Sequence, residues 1–178
     1  MVCLSCMKKK TSTRGVTFSK KDIAYYNMSY KWSEPTWQFF HSFAAKIQEE
    51  FYKSHVAECL ILIKEICGVL PCPYCQSHAN DFFKNINPNN ISTKDTFKLL
   101  LLNFHNDVNK KTNKPLITLN DLKVYENSNF INISKKFISI FGSYNGNKLG
   151  GGFMDSLGRK KTLNKLINWI NTYYTFFL

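Results

Sequence analysis

The segment CPYCQSHANDFFKNI, residues 72–86, decides how the rest of the sequence is interpreted. Pro71 ends the preceding apolar stretch. Cys72 then suits the N-cap of a helix, with Pro73 at the first helical position, where the missing N–H is not needed. The flanks on both sides have helical patterns rather than the alternation of a strand. The segment therefore predicts a helix that begins at a CxxC motif and has helical neighbours.

The flanking segments predict four more helices. The first begins near Ser33 and Pro35, and an apolar stripe at three- and four-residue steps comprises Trp37, Phe40, Phe43, Ala44, Ile47 and Phe51. A second predicted helix covers 56–69, with Gly68 suited to its end. Another covers 92–109; it opens with the capping-box-like pair Ser92 and Asp95, and Lys114-Pro115 stops it. A short helix covers 118–125. We expect an all-α fold, a four-helix bundle plus a short fifth helix and a C-terminal helical extension.

The ends of the chain differ in character from this bundle. Residues 1–27 are polar and basic and predict a flexible arm that carries a second CxxC pair. Residues 28–130 hold the predicted domain. Residues 131–178 form a C-terminal extension, with a glycine-rich connection around 150–152 and a tail helix over roughly 160–177. The apolar side of that helix needs a partner, and we expect the bundle rather than a second chain or a membrane surface.

The charge of the chain does not indicate a specific nucleic-acid reader. The net charge is +12, but of 24 basic residues only Arg14 and Arg159 are arginines, the side chain that such readers favour for its planar fork. No apolar run reaches the roughly 18–20 residues of a transmembrane helix. The N-terminus carries lysines where a signal peptide needs its apolar stretch. We expect no specific nucleic-acid partner, no transmembrane segment and no signal peptide.

Cys72 and Cys75 have the spacing of a redox dithiol. At a helix N-terminus, the macrodipole and the free N–H groups lower the pKa of a thiol and favour thiol–disulfide exchange. Zinc is an alternative, since His78 has ligand spacing and Cys67, His41 or His105 would supply the fourth ligand. A thioredoxin-like domain is another, but it requires a strand before the motif. We expect no metal site.

Rings and amides recur on two of the predicted helices. Trp37 and His41 lie four residues apart and share one face, and His105 shares another face with Val108 and Asn109. Such groups suit stacking and edge recognition of a flat heteroaromatic cofactor. Lysines at 110, 111 and 114 are available for a pyrophosphate. No GxGxxG follows a strand, so a dinucleotide would bind without a Rossmann fold.

Together these motifs make the sequence resemble the Erv/ALR family of FAD-dependent sulfhydryl oxidases over about residues 30–127. The motifs are WxxxxWxxxH at Trp32, Trp37 and His41; CxxCxxH at Cys72, Cys75 and His78; and HNxVNxxxxKP at His105, Asn106, Val108, Asn109, Lys114 and Pro115. The resemblance implies a helical bundle that binds FAD, is homodimeric, forms disulfides in dithiol substrates and reduces O2 to H2O2.

The resemblance also implies roles for particular residues. Cys72 is the outer sulfur that a protein dithiol or a thioredoxin-like carrier attacks, and Cys75 faces the flavin. The expected cofactor-binding residues are Trp32, Trp37, His41, His78, His105, Asn106, Val108, Asn109, Lys114 and Tyr125. Cys3 and Cys6 are either a shuttle disulfide or an idle pair. Cys59 and Cys67, roughly 12 Å apart by helical rise, are expected to be separate buried thiols.

Three departures from the family pattern are visible. Ser33 replaces the glycine that usually follows the first Trp, Thr112-Asn113 replaces Leu-Gly before the Lys-Pro, and no cysteine follows Cys75. Compact viral members resemble this chain in that last respect, so a large DNA virus is the expected source. The expected location is the host cytoplasm or the virion, or the mitochondrial intermembrane space if the source is cellular.

Overall fold

A computed structural model describes residues 32–143 and 153–177 of the chain. This part contains seven α-helices and no strand, which confirms the all-α prediction. The helices are α1 Ser33–Lys46, α2 Glu49–Gly68, α3 Pro73–Phe83, α4 Lys94–Lys111, α5 Leu119–Leu122, α6 Phe130–Gly142 and α7 Phe153–Tyr173. Single 3₁₀ turns lie at Pro88–Ile91, Lys123–Tyr125 and Tyr174–Phe177. None of these helices is long and apolar enough to cross a membrane.

The first helix ends earlier in the sequence than the apolar stripe predicts. Ile47 has a ψ of 133° and leaves the helical region, and α2 starts at Glu49 with acidic residues in its first turn, where they favour the helix N-terminus. Phe51 therefore lies on α2, not on the first helix. Its side chain is still buried in the core, at 7% exposed, because the apolar side chains before and after the corner face the same core.

The start of α4 confirms a capping box with a different pair of residues. Thr93 is the N-cap, its hydroxyl accepts the Thr96 N–H, and the Thr96 hydroxyl accepts the Thr93 N–H in return. Ser92 and Asp95 were the expected pair. This shift of the N-cap by one residue matters little for packing, because it does not change which positions of α4 share its buried face.

Helix α6 was not predicted from the sequence. Asn129 caps it by accepting the Asn132 N–H, and Phe130, Phe137 and Phe141 are buried. Phe39 of α1 stacks on Phe137 with ring centroids 4.7 Å apart. The helix thus supplies one wall of the core, against α1.

The C-terminal segment packs on the bundle, as expected. Trp169 and Phe177 lie 5.5 and 5.3 Å from Phe43, between ring centroids, and Phe177 stacks on Phe130 at 4.2 Å. At the surface, Lys165 pairs with the α2 carboxylate of Glu65 at 2.6 Å. The tail therefore completes the core rather than standing apart from it.

We expect Phe43→Ala to destabilise the chain strongly. Phe43 is 0% exposed, and removing a ring of this size from a packed core costs about 3–5 kcal/mol. Urea unfolding followed by circular dichroism measures the loss. The control is Val124→Ala, at a side chain 68% exposed, which should change the free energy by less than about 0.5 kcal/mol. Equal effects at the two sites would contradict this packing.

Candidate active site

The two central cysteines lie at the start of α3, as the sequence predicts. Cys72 is the N-cap with Pro73 in the first turn, and its Sγ accepts the Cys75 N–H at 3.3 Å. The two sulfurs are joined as a disulfide, with Cα atoms 5.2 Å apart. On reduction, the same N–H and the helix macrodipole stabilise a thiolate at Cys72. This end of α3 therefore combines a reducible bond with stabilisation of its reduced form.

The two sulfurs differ in exposure. Cys72 is buried, at 6% exposed, whereas Cys75 is partly exposed and packs against the core from its edge. The outer role expected for Cys72 requires a substrate to reach the more buried sulfur. Exposure by itself thus favours attack at Cys75.

A cluster of rings joins α1 to α4. Trp37 stacks on His105 with centroids 3.9 Å apart and planes 2° from parallel. His41 Nε2 lies 2.8 Å from His105 Nδ1, so one of these nitrogens donates a hydrogen bond to the other. Tyr125 approaches the His41 ring at 5.7 Å. The fold thus brings together four rings of the expected cofactor set, Trp37, His41, His105 and Tyr125.

Both histidines of this cluster are neutral at pH 7. Burial, and then the neighbouring His105, lower the pKa of His41 from 6.5 to about 3. Burial, and then the charge of Lys114, lower the pKa of His105 from 6.5 to about 4. A neutral imidazole offers one donor, one acceptor and a flat face. The cluster is therefore an uncharged aromatic surface at neutral pH.

The asparagine side chains bind the chain itself. Asn106 donates to the Ile117 carbonyl at 2.8 Å and accepts the Ile117 N–H at 2.9 Å, and Asn109 donates to the Pro115 carbonyl at 3.0 Å. Their amides were expected to recognise a cofactor edge. In the structure they hold the loop after α4 to that helix, which leaves part of their hydrogen-bonding capacity for a ligand.

The loop also explains one departure from the family pattern. Asn113 has a φ of 54°, in the left-handed region that glycine adopts freely and that asparagine tolerates best among other residues. The usual glycine is thus replaced by the residue type that costs least there. Lys114 follows and is held through its N–H by the Asn109 carbonyl at 2.9 Å.

Two of the expected residues lie apart from the ring cluster. Trp32 is in the apolar core, 5% exposed, with its ring edge-to-face on Phe141 at 6.5 Å. Val108 packs against the core from a partly buried position, and its carbonyl accepts the Thr112 hydroxyl at 2.9 Å. Trp32 thus lies in the core and not in the ring cluster, and Val108 is partly buried against the core.

Sequence reasoning missed two residues of the site. The His78 ring contacts the Asp107 carboxylate through a short Nε2···Oδ2 hydrogen bond, and Phe104 lies 6.1 Å from His78 and 5.2 Å from Trp37, between ring centroids. Phe104 thus connects the CxxC helix to the ring cluster. Each of these contacts joins two residues that are 26 or more positions apart along the chain. No local spacing in the sequence could therefore have indicated them.

The other cysteines and the metal alternative have clear structural descriptions. Cys59 and Cys67 are free thiols, 0% and 1% exposed, which confirms that they are buried. Burial raises the pKa of Cys59 to about 12 and also raises that of Cys67. Across 32–143 and 153–177, no three His, Cys, Asp or Glu side chains are grouped to hold a metal ion.

The residues present fit a flavin dinucleotide. Beside His41 is a cavity of about 170 Å³, lined by His41, Ala44, Ala45, Asp95, Lys98, Leu119, Leu122, Lys123 and Glu126. Its apolar side chains and the neutral imidazole suit an aromatic ring, and Lys98 is paired with both carboxylates of the lining. Trp37 and His105, which stack on each other, would be among the residues that hold the aromatic rings of the dinucleotide.

Comparisons with known proteins point to one family. Residues 34–129 match the model of the Erv1/Alr family. The FAD-linked sulfhydryl oxidase of an African swine fever virus isolate is 29% identical over 98 residues, which is 54% of this chain and 82% of the viral protein. A protein of invertebrate iridescent virus 6 is 29% identical over 97 residues, 48% of this chain and 83% of that protein. No solved structure matches.

The lowered pKa values of His41 and His105 predict that the fold loses stability in acid. Unfolding restores the ordinary pKa of 6.5 from about 3 and about 4, so the unfolded chain binds protons that the folded chain refuses. The contribution of the two neutral histidines to the free energy of unfolding is fully present above pH 6.5 and is lost as the pH falls toward 4. Urea unfolding across this range measures it. His105→Gln should flatten the dependence, and Asn113→Ala, which leaves both rings in place, should not. An unchanged dependence in His105→Gln would contradict the assignment.

Proposed function

We propose that this chain, an FAD-linked sulfhydryl oxidase that belongs to the Erv1/Alr family, forms disulfides in protein dithiols. Their electrons pass through the Cys72–Cys75 disulfide to FAD and then to O2, which yields H2O2. The observation that supports this most is the reducible bond at the start of α3, one helical turn from His78. From His78, Phe104 continues the contact to Trp37 and the ring cluster.

In the reductive half of the reaction, the chain acts through its own sulfurs. A substrate thiolate attacks Cys72 Sγ, the Cys72–Cys75 bond breaks, and Cys75 leaves as a thiolate. The second substrate thiol then displaces Cys72, which closes the substrate disulfide. The substrate loses two electrons and two protons, and both cysteines are left reduced. The Cys75 N–H and the N-terminus of α3 stabilise the Cys72 thiolate that results.

FAD, when bound, supplies a two-electron acceptor that lets the Cys72–Cys75 bond form again and is itself reoxidised by O2. The residues that we propose to hold it are Trp37, His41, His78, His105, Asn106, Asn109, Lys114 and Tyr125, with Trp32 and Val108 supporting them. The neutral imidazoles and the indole would bind its rings, and the lysine its phosphates.

The proposal extends to partners and place. The substrates are protein dithiols or a thioredoxin-like carrier, and the enzyme acts as a homodimer in the host cytoplasm or the virion. The viral source of the relatives is what supports the proposed location.

Cys75→Ser should give a protein that binds flavin but does not oxidise thiols. The substitution removes one sulfur of the exchanging bond and leaves the ring cluster intact, so the visible flavin absorption should persist while peroxide production from dithiothreitol falls to the uncatalysed rate. The matched control is Cys59→Ala, at a buried thiol outside the motif, which should keep its turnover. A Cys75→Ser variant with full turnover would overturn the assignment.

A comparison of Cys75→Ser with Cys72→Ser decides which sulfur the substrate attacks. With Cys72 as the attacked sulfur, flavin-loaded Cys75→Ser should form a mixed disulfide with an aromatic disulfide reagent faster than Cys72→Ser does. The reverse order would instead follow the greater exposure of Cys75, and would contradict the roles proposed here.

The N-terminal pair, Cys3 and Cys6, lies outside the described residues. We propose that it shuttles electrons from protein substrates to the Cys72–Cys75 disulfide. A double serine variant at 3 and 6 should then oxidise a reduced protein more slowly than the parent, and dithiothreitol equally fast, because a small dithiol reaches the inner disulfide directly. Stopped-time thiol titration measures both rates. Equal rates on the protein substrate would show an idle pair.

A further inference from the structure

A hydrogen bond ties the CxxC helix to the helix that carries the ring cluster. His78 of α3 and Asp107 of α4 are bonded through Nε2 and Oδ2, and their side chains are 17% and 38% exposed. Lys111, one turn further along α4, lies 3.3 Å from the same carboxylate oxygen. The contact is a three-residue network, with Asp107 at its centre and His78 on its more buried side.

The charge of Asp107 determines how the hydrogen bond runs. Burial acts to raise the pKa of this carboxyl, but the hydrogen bond from His78 and the charge of Lys111 outweigh burial and hold the pKa below its usual 3.8. An ionised carboxylate can only accept. His78 Nε2 must therefore carry a hydrogen whether the ring is neutral or charged, and in the neutral ring Nδ1 is the acceptor.

This contact lies in the less buried first half of α3. The buried side chains of α3 are Ala79 and Phe83, both beyond His78. From Pro73 to His78, no side chain of the helix is fully buried. The His78–Asp107 bond therefore ties this part of α3 to α4, beside the contact of the His78 ring with Phe104, and it orients the His78 ring.

We propose that Asp107 is a positioning residue, which acts through His78 to hold that ring in the orientation and protonation that FAD binding requires. The inference rests on the proposed function and adds to it a residue that contacts no cofactor in this scheme. At metal sites, a carboxylate on the far nitrogen of a histidine fixes the ring and its tautomer, and losing the carboxylate costs about 10- to 100-fold in metal affinity or activity. We expect a loss in the same direction for FAD affinity here.

A double-mutant cycle on FAD affinity tests whether Asp107 acts through His78. The variants are Asp107→Ala, His78→Ala and the double substitution, each stripped of flavin and titrated with FAD by fluorescence. Each single variant should bind FAD roughly 10-fold more weakly, and the double variant should be no weaker than the weaker single one. Asp107→Glu, which keeps a carboxylate, should recover part of the affinity. Asp81→Ala is the control, since it removes an exposed carboxylate from α3, and it should bind like the parent.

Additive losses in this cycle would show two independent roles and overturn the proposal. So would an Asp107→Ala variant with parental FAD affinity and a lowered unfolding temperature, because this combination indicates a purely structural clamp. A parent that binds no FAD and oxidises no thiol contradicts the proposed function itself, and it is recognised without any variant.

Nitrogen NMR of histidine-labelled, flavin-free protein provides a readout independent of activity. The His78 signals, assigned by their absence in His78→Ala, should show a protonated Nε2 whose hydrogen exchanges slowly with water. In Asp107→Ala this slow exchange should be lost, and in Asp107→Glu it should return. A bare Nε2 in the parent would overturn the proposal, since the carboxyl would then be the donor.

Discussion

The two faces of α1 determine the rest of the structure. One face presents Phe39 and Phe43, both 0% exposed, to α6 and to the C-terminal segment. Another presents Trp37 and His41 to His105 of α4. A helix repeats its faces every 3.6 residues, so burying the phenylalanines directs the indole and the imidazole toward α4. Core packing and assembly of the site thus follow from one constraint, and the C-terminal segment contributes to it although it lies outside the family match.

The site separates two kinds of electrostatic environment. In the ring cluster, burial keeps His41 and His105 neutral, with pKa values lowered to about 3 and about 4. At the start of α3, where Cys72 is also buried, a helix N-terminus favours negative charge on sulfur. A flat neutral surface suits an aromatic electron acceptor, and a stabilised thiolate suits disulfide exchange. The fold thus places the disulfide on α3 and the rings on α1 and α4. Phe104 and the His78–Asp107 pair lie between the disulfide and the rings.

Sequence reasoning succeeded where the physical cause is local. Capping by Cys72 with Pro73 after it places the start of α3, and the apolar periodicity of α1 and α4 reports their buried faces. It failed where a tertiary contact overrides the pattern. The stripe that ends at Phe51 runs across a corner at Ile47. Helix α6 is a different case, because its local signal, an Asn129 cap and a marked apolar periodicity, was present in the sequence and was not used.

The sequence by itself determined the helical class, the position of the redox motif, the family resemblance and most of the residues around the site. Each of these depends on spacing within one helix or on side-chain chemistry. The tertiary structure alone decided which groups meet: Trp37 on His105, Asp107 on His78, and the Asn106 and Asn109 amides on the loop after α4. It also placed Trp32 in the core. These contacts join helices and loops through their relative rotation and separation, which depend on how all the buried side chains pack together.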